Sequence, residues 1–329
     1  MCTALSIQSK EEKIFFGRNM DLAYNFNQSP VLLPKNYQYQ DKVTGESVHI
    51  KRAILGMGAV IDQHPAMAEA MNENGLACAG LNFARYAYFE KTIKENKKNI
   101  APYDFILWVL SNHDTVEEVA REMENIELVD VPINEKTPIP TLHWMITDKS
   151  GKSLVVEKTK ERLSVHENPV NVMTNDPTFD WHVTNLNEYM KLEPKHPAIV
   201  KWGEKELKGL GIGAGTLGMP GDFASVSRFV RIAYVRSHMT EIRNDAEALA
   251  QFFHMLDYVE MVKGGVITEE GQEDMTLYSS CMDLQKGIYY YKTYENNRLN
   301  AIDMFKESLD NGKMKIFPYA AVQDVNYQN

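Results

Sequence analysis

The chain has 329 residues, of which 24% are charged, and its formal net charge is −10. This acidic balance excludes a protein that binds nucleic acid through a basic surface. The hydrophobic fraction of 44% is typical of a globular protein, and no run approaches the roughly 18 apolar residues of a membrane-spanning helix. We therefore expect one layered domain over residues 2–329, with neither nucleic acid nor a membrane as partner.

The chain begins Met1-Cys2-Thr3, so removal of Met1 would give Cys2 a free α-amine beside its thiol. Such groups titrate near neutral pH, where general acid–base groups work best. The alternative is a cysteine without a role in a frayed terminus. Residues 3–8 alternate in polarity, and residues 13–19 suit a return strand. The predicted hairpin would carry Arg18 and Asp21 back beside Cys2.

The middle of the chain predicts strands and helices in alternation. The apolar runs 53–61 and 76–83 indicate buried strands, the second containing Cys78 as a small buried hydrophobe. Pro102 predicts the start of a helix over 103–111, and Asp114 could cap another over 115–123. Residues 131–142 hold three prolines and indicate a loop. A second hairpin is predicted from 143–147 and 153–157.

The later part predicts helices at 179–190, 225–236 and 246–262, and strands at 276–282 and 287–294. Five glycines fall within residues 211–221. A dinucleotide-binding fingerprint must follow a strand and open a helix, and this context is missing, so we expect a turned loop. The order of elements and the dominance of hairpins predict an α+β fold in which two largely antiparallel sheets lie between helical layers.

Few residues suggest metal or disulfide chemistry. Cys2, Cys78 and Cys281 are too few for a disulfide framework, and their spacing excludes a CxxC site. Reduced thiols favour a cytoplasmic protein. No secretory leader is recognisable, so we expect that removing Met1 is enough to expose Cys2. The nine histidines form no HExxH motif, and a GxSxG elbow is absent.

Several motifs occur together in a fixed order. They are Met-Cys-Thr at 1–3, FGRNMD at 16–21, GLACAGLNF at 75–83, MTNDPTF at 173–179, LGMPGDF at 217–223, SRF at 227–229, YSSC at 278–281 and GIYYY at 287–291. This set resembles the choloylglycine hydrolase family, which contains bile salt hydrolases and penicillin V acylases, over almost the whole chain. The resemblance implies an N-terminal-nucleophile hydrolase with a four-layer αββα sandwich.

The resemblance also implies roles for six residues. Cys2 would be the nucleophile and its α-amine the general base, with Arg18 beside the thiol to favour the thiolate. Asp21 would accept a hydrogen bond from the α-amine. The Asn175 side chain and the backbone N–H of Asn82 would donate to the oxyanion, and Arg228 would complete the charged network. No metal and no organic cofactor is expected. Members of the family commonly form tetramers, so the resemblance implies a homotetramer.

Within the family, conjugated bile salts and penicillin V compete as substrates. Asn82 favours bile salts, because penicillin V acylases typically carry tyrosine at this position. An N-acyl amino acid acylase stays open, as does a non-catalytic steroid or acyl binder, although the latter would need a lost nucleophile. A steroid requires a mainly apolar pocket. Its candidate wall residues, each of which could instead be ordinary core, are Met20, Leu22, Phe26, Ile61, Ile133, Ile139 and Leu142.

Overall fold

Two large antiparallel sheets form the centre of the computed structural model, which describes residues 1–329. The strands in chain order are β1 (Cys2–Gln8), β2 (Ile14–Leu22), β3 (Ser29–Leu33), β4 (Gln38–Gln40), β5 (Ser47–His49), β6 (Ile54–Ile61), β7 (His64–Asn72), β8 (Ala77–Asn82), β9 (Lys98–Ile100), β10 (Ile126–Leu128), β11 (Leu142–Thr147), β12 (Ser153–Lys158), β13 (Leu163–Glu167), β14 (Val172–Met173), β15 (Val200–Trp202), β16 (Lys205–Leu207), β17 (Val266–Ile267), β18 (Glu273–Asp283), β19 (Ile288–Thr293), β20 (Asn300–Asp303) and β21 (Lys315–Ile316).

The first sheet has seven strands in the order β14-β1-β2-β18-β19-β20, with β17 paired to β18. The second has eight, in the order β13-β12-β11-β8-β7-β6-β3-β21. The α-helices are α1 (Phe105–Asn112), α2 (Val116–Glu122), α3 (Phe179–Asn185), α4 (Ser225–His238) and α5 (Asp245–Asp257). The longest has 14 residues, and none combines the length and the hydropathy that a membrane crossing requires.

Two apolar cores hold four layers together. The larger core joins the facing sides of the two sheets and also contains Phe229 of α4 and Phe252 of α5, which pack on the first sheet. The smaller core joins the outer face of the second sheet to α1, with Phe105 against Trp144. The layers are therefore helices, sheet, sheet and helices. The predicted α+β sandwich of antiparallel sheets between helical layers is confirmed.

The first hairpin is the part of the fold that positions the site. Strands β1 and β2 pair over their whole length, with Cys2 opposite Met20 and Ala4 opposite Arg18. Because side chains alternate between the two faces of a strand, Cys2, Arg18 and Met20 share one face. This face points into the core between the sheets, and β18 pairs with the other edge of β2.

Two predicted helix bounds and one cap are wrong. The cap of α2 is Thr115, whose Oγ1 accepts from Glu118 N at 3.2 Å, because Asp114 is bound to Arg52 instead. The helix predicted over 179–190 ends at Asn185 and continues as a 3-10 turn. The helix predicted to reach 262 ends at 257, because Met261 exchanges hydrogen bonds with Thr276 of β18.

The glycine-rich segment 211–221 is irregular apart from one 3-10 turn over Ala214–Thr216, as expected for a turned loop. Just before it lies a hairpin that the sequence did not predict, formed by β15 and β16. The hairpin is exposed and each of its strands has only three residues, which is shorter than the alternating runs by which strands are recognised. Leu142, assigned to the loop 131–142, begins β11.

Candidate active site

Cys2 lies at the start of β1 and is only 3% exposed. The Nη2 of Arg18 donates to Cys2 Sγ, and its Nη1 donates to the carbonyl of Gly80 at 2.6 Å. Arg18 is completely buried, so its charge acts through a medium of low dielectric. Burial lowers the pKa of Arg18, but the neighbouring Cys2, Tyr278 and Glu69 outweigh this effect and raise it above the ordinary value. The guanidinium therefore stays charged beside the sulfur.

Asp21 lies where β2 passes the start of the chain. Its N–H donates to Met1 O at 3.0 Å, and the Met1 α-amine donates to Asp21 O at 2.5 Å. The carboxylate is fully buried, and its Oδ1 accepts from Thr276 Oγ1 at 2.6 Å, whereas its Oδ2 has no hydrogen-bond donor. Burial raises the pKa of Asp21, against the opposing positive charges of Arg228 and the α-amine.

Asn175 follows β14 and joins the two sides of the site. Its Oδ1 accepts from Cys2 N at 2.8 Å, and its Nδ2 donates to Asn82 O at 2.8 Å. The backbone N–H of Phe83 donates to Thr141 O, so the alternation of the strand turns the N–H and C=O of Asn82 away from β11 and toward Asn175. An amide nitrogen carries two protons, so Asn175 Nδ2 keeps one for another acceptor.

Arg228 projects from α4 and is completely buried. Its Nη1 donates to Cys2 O and Thr3 Oγ1, each at 2.5 Å, and its Nη2 donates to Asn175 Oδ1 at 2.7 Å. The same Nη1 lies 4.0 Å from Asp21 Oδ2. Burial lowers the pKa of Arg228, opposed first by Asp21. The structure thus brings together all six residues that the sequence analysis proposed as catalytic.

Two buried histidines hold the segment around Asn175, and the sequence analysis did not assign them. His143 contacts Thr174 O through Nε2 and Glu157 Oε1 through Nδ1, each at 3.0 Å, and its ring stacks on Phe83. His182 contacts Asn175 O through Nε2 at 2.9 Å. No spacing in the sequence relates these histidines to Asn175, because α3 and β11 approach it only in the folded chain.

The burial of His182 predicts a loss of stability in acid. Burial lowers the pKa of His182 from 6.5 to about 4, so the unfolded chain takes up this proton first as the pH falls. The neutral, buried His182 costs the folded state nothing above pH 6.5. Between pH 6.5 and pH 4, protonation of the unfolded chain lowers the free energy of unfolding by about 3 kcal/mol. In urea unfolding at pH 7 and pH 4, the wild type should lose about this much more stability than His182→Gln. An equal loss in both proteins would contradict the prediction, and the exposed His49→Gln is the control.

The seven candidate wall residues fall into three places. Met20 lies opposite Cys2 with its sulfur 3.4 Å from Arg18 Nη2, and Leu22 and Phe26 follow it, half-buried against the core between the sheets. Leu142 pairs with Asn82, and both Leu142 and Ile139 are half-buried against the smaller core. Ile61 and Ile133 pack together near Tyr103 in a small separate cluster. Five of the seven are therefore half-buried, whereas Met20 and Ile133 are buried.

No set of three or more histidine, cysteine or acidic side chains is arranged to hold a metal ion. The three cysteines are free and buried. Burial raises the pKa of both Cys78 and Cys281 well above the usual range, which leaves these two thiols unreactive. Among the cysteines, only Cys2 has a guanidinium at its sulfur.

Known proteins resemble the chain over its full length. The family model for linear amide C–N hydrolases of the choloylglycine hydrolase family matches residues 2–317. A bile salt hydrolase/transferase of Clostridium perfringens is 48% identical over 329 residues, with all of both chains covered. One from Lactiplantibacillus plantarum is 37% identical over 318 residues, covering 97% of each chain. The crystal structure of the C2A mutant of the conjugated bile acid hydrolase from Clostridium perfringens superposes with a TM-score of 0.96 at 48% identity, covering 100% of each chain.

The fold and these matches define a hydrolase that acts on linear amide C–N bonds. The chain belongs to the choloylglycine hydrolase family.

Proposed function

We propose that the chain hydrolyses the amide bond of glycine- or taurine-conjugated bile acids, with Cys2 as the nucleophile. One observation carries this proposal: a buried guanidinium donates to the Cys2 sulfur, while the side-chain amide of Asn175 lies at the Cys2 nitrogen. Amide hydrolysis needs a nucleophile, a proton shuttle and oxyanion donors. The substrate class is supported by the relatives of 48% and 37% identity, which are bile salt hydrolase/transferases.

Removal of Met1 would convert the Cys2 nitrogen from an amide into an amine. As an amide it has one proton, which it donates to Asn175 Oδ1. The buried Oδ2 of Asp21 has no donor, although a buried carboxylate oxygen normally has one. A free amine has further protons to donate. The unsatisfied Asp21 Oδ2 therefore supports an active form in which the Cys2 α-amine donates to Asp21 and is held by it.

In the proposed reaction the α-amine takes the thiol proton and the sulfur attacks the amide carbon. The carbonyl π electrons move to oxygen, and the oxyanion accepts from the remaining Asn175 Nδ2 proton and from the backbone N–H of Asn82. One such donor typically contributes about 10²–10³ in rate. Collapse breaks the C–N bond, and the α-ammonium gives its proton to the departing nitrogen. The products are glycine or taurine and an acyl-thioester on Cys2.

Water then attacks the thioester carbon, and the α-amine accepts the proton that water releases. Collapse breaks the C–S bond, and the bile acid leaves while the sulfur is restored. An amine that enters in place of water would instead receive the acyl group. The hydrolase/transferase names of the two relatives favour this transfer as a second activity of the same intermediate.

The apolar groups around Cys2 are proposed to hold the steroid. Met20, Leu22 and Phe26 line one side, and Leu142 lies beside Asn82 on the other. The side chain of Asn82 accepts a hydrogen bond from Thr141 Oγ1 at 2.9 Å. This asparagine occupies the position where penicillin V acylases typically carry tyrosine. We propose Ile61, Ile133 and Ile139 as more distant parts of the same wall.

The test is incubation of the purified protein with glycocholate, taurocholate and penicillin V, followed by measurement of the released amine. We expect release from at least one bile salt at a rate well above that from penicillin V, with Cys2→Ala as the blank. No release from either bile salt would refute the bile salt assignment. Faster cleavage of penicillin V or of an N-acyl amino acid would support the alternative acylase.

We further propose a homotetramer in the cytoplasm. The three free thiols are in keeping with a reducing compartment. The arm formed by residues 199–217 exposes Trp202 by 76% and leaves Leu210 and Ile212 fully in contact with solvent. Large exposed apolar side chains are uncommon on monomers when they gather in one segment, and such segments mark association sites. Further copies of the same chain are the occupants that the family resemblance implies.

Polar substitutions in this arm should therefore dissociate the tetramer. The triple variant Trp202→Ser, Leu210→Ser, Ile212→Ser removes apolar surface without altering either of the two large sheets. Light scattering during size exclusion should give four times 37.6 kDa for the wild type and a smaller assembly for the variant. The control is Val322→Ser, because this residue is 80% exposed in the C-terminal tail. An unchanged mass for the triple variant would refute the arm as the interface.

A further inference from the structure

A buried carboxylate lies on the far side of Arg18 from Cys2, and the proposed mechanism does not use it. Glu69 of β7 is completely buried, and its Oε2 lies 3.8 Å from Arg18 Nη1. Its oxygens accept from Tyr278 Oη at 2.9 Å and from Tyr289 Oη at 2.6 Å. Glu69 belongs to the second sheet, whereas Arg18 and both tyrosines belong to the first. The cluster therefore crosses the interior between the sheets.

Two irregularities of the strands aim these side chains at each other. The pairing of β6 with β7 shifts between Met57 and Gly58, which leaves Ala68 as the extra residue immediately before Glu69. The pairing of β2 with β18 shifts at Leu277, immediately before Tyr278. Such bulges re-aim a side chain and occur next to active sites. Two separate bulges, one in each sheet, thus adjoin the same cluster.

The charge of Arg18 needs a partner at every stage of the reaction. A guanidinium does not deprotonate in proteins, and Arg18 has no access to water. Its other acceptors are the neutral carbonyls of Gly80 and Asn19 and the sulfurs of Cys2 and Met20. The thiolate can balance it before attack. In the acyl-thioester, however, the sulfur is bonded to carbon and carries no negative charge.

We propose that Glu69 is a positioning residue that supplies the permanent counter-charge of Arg18, held as a carboxylate by the hydroxyls of Tyr278 and Tyr289. It keeps the guanidinium at the sulfur when the sulfur is neutral, and it shares the positive charge with the thiolate when the sulfur is ionised. This inference rests on the proposed role of Cys2 as nucleophile. Glu69 itself touches neither substrate nor sulfur in this arrangement.

Several charged and titratable groups face Arg18 and Glu69, and a substitution at Glu69 changes their balance of charge. Arg18 is faced by Cys2, Tyr278, Glu69 and Asp21. Burial raises the pKa of Glu69, and this effect is opposed by the groups that face it, namely Arg18, both tyrosines and Ser280, which favour the carboxylate. Near the start of the chain, Asp21 is also faced by Arg228 and Asp274. Replacing Glu69 by glutamine removes one charge from this set and retains one oxygen, which can still accept from one of the two tyrosines.

The first readout is the rate at which iodoacetamide alkylates Cys2 as a function of pH. In Glu69→Gln the charge of Arg18 acts on the thiolate alone, so the midpoint of the rate profile should move down by about one pH unit. The second readout is turnover of glycocholate. Deacylation should slow because the acyl-enzyme contains an unbalanced Arg18, so kcat should fall about tenfold and intact mass should show accumulated acyl-enzyme. A more reactive thiol combined with slower turnover is not expected from a merely structural role.

The controls separate this inference from general damage and from the proposed function. Glu127→Gln, at a buried glutamate paired with Lys97 and Lys158, should retain the wild-type midpoint. Cys2→Ala gives the background labelling. If Glu69→Gln does not fold, the double variant Tyr278→Phe, Tyr289→Phe removes both donors to the carboxylate and should move the midpoint in the same direction.

A folded variant with the wild-type midpoint would overturn the proposal, and so would a midpoint that moves upward. Alkylation of Cys2 does not require a substrate. Failure of every conjugate to be cleaved would therefore refute the proposed function alone, while the effect of Glu69 on the thiol could still be measured.

Discussion

Replacing Cys2 with alanine is expected to lower the hydrolysis of glycocholate by about 10⁴-fold or more. The variant lacks the atom that we propose forms the covalent intermediate, and losses of this size accompany removal of a nucleophile that acts as a unit with its base. Released glycine, measured at equal protein concentration, gives the ratio of rates. Activity near that of the wild type would refute the covalent mechanism.

Cys2→Ser tests the contribution of the sulfur itself, because it leaves the residues around the side chain unchanged. Serine retains a hydroxyl at the position where Arg18 donates to the sulfur, but alkoxide formation is far harder than thiolate formation, so we expect only residual activity. Both variants should fold, because Cys2 is small and its side chain makes its polar contact with Arg18 alone. Melting temperatures close to the wild-type value would confirm that activity was lost through chemistry.

Arg228→Met is expected to lower the free energy of unfolding by about 3–5 kcal/mol. The arginine supplies donors to Cys2 O, Thr3 Oγ1 and Asn175 Oδ1, and it is the nearest cation to the buried carboxylate of Asp21. Its loss leaves these acceptors unsatisfied and one buried charge unbalanced. Urea unfolding at pH 7 measures the difference.

Arg231→Met is the matched control for this substitution. Arg231 lies on the same helix and is also buried, but it has no carboxylate within salt-bridge distance and instead lies over the ring of Tyr258. We expect a cost of about 1 kcal/mol there. Adding Asp21→Asn to Arg228→Met should recover part of the stability, because it removes the unbalanced charge. A cost at Arg228 no larger than that at Arg231 would contradict the explanation.

The predictable parts of the fold are those in which local pattern and tertiary structure agree. The first hairpin follows from the alternation of residues 3–8 and the polar turn after them, and its register places Arg18 beside Cys2. By contrast, the end of α5 depends on the hydrogen bond between Met261 and Thr276 of β18, which the sequence pattern does not reveal. The hairpin β15–β16 escaped prediction because its side chains are not buried on either face.

Asn82, Asn175 and Arg228 were found through family motifs alone, since neither periodicity nor spacing relates them to Cys2. The residues that support the site, Glu69, His143 and His182, were not identified from these motifs. Glu69 occurs in an apolar strand, and its meeting with Tyr278 depends on a bulge in each sheet. A bulge shifts the alternation by one residue at a point that composition does not mark. His143 reaches Thr174, the neighbour of Asn175, through a tertiary contact, and His182 reaches Asn175 because the chain folds back between them.

The backbone of Met1 extends the pairing of β1 with β2 by one residue, through hydrogen bonds in both directions with Asp21. The peptide bond that the proposed removal of Met1 would cut therefore belongs to a finished sheet, next to a residue that is 3% exposed. An aminopeptidase needs a free, extended terminus, and this terminus is paired once the sheet has formed. We therefore expect Met1 to be removed before the chain folds, while it is still emerging from the ribosome. Folded protein that retains Met1 should resist methionine aminopeptidase, whereas the urea-unfolded chain should be cut, as intact mass would show.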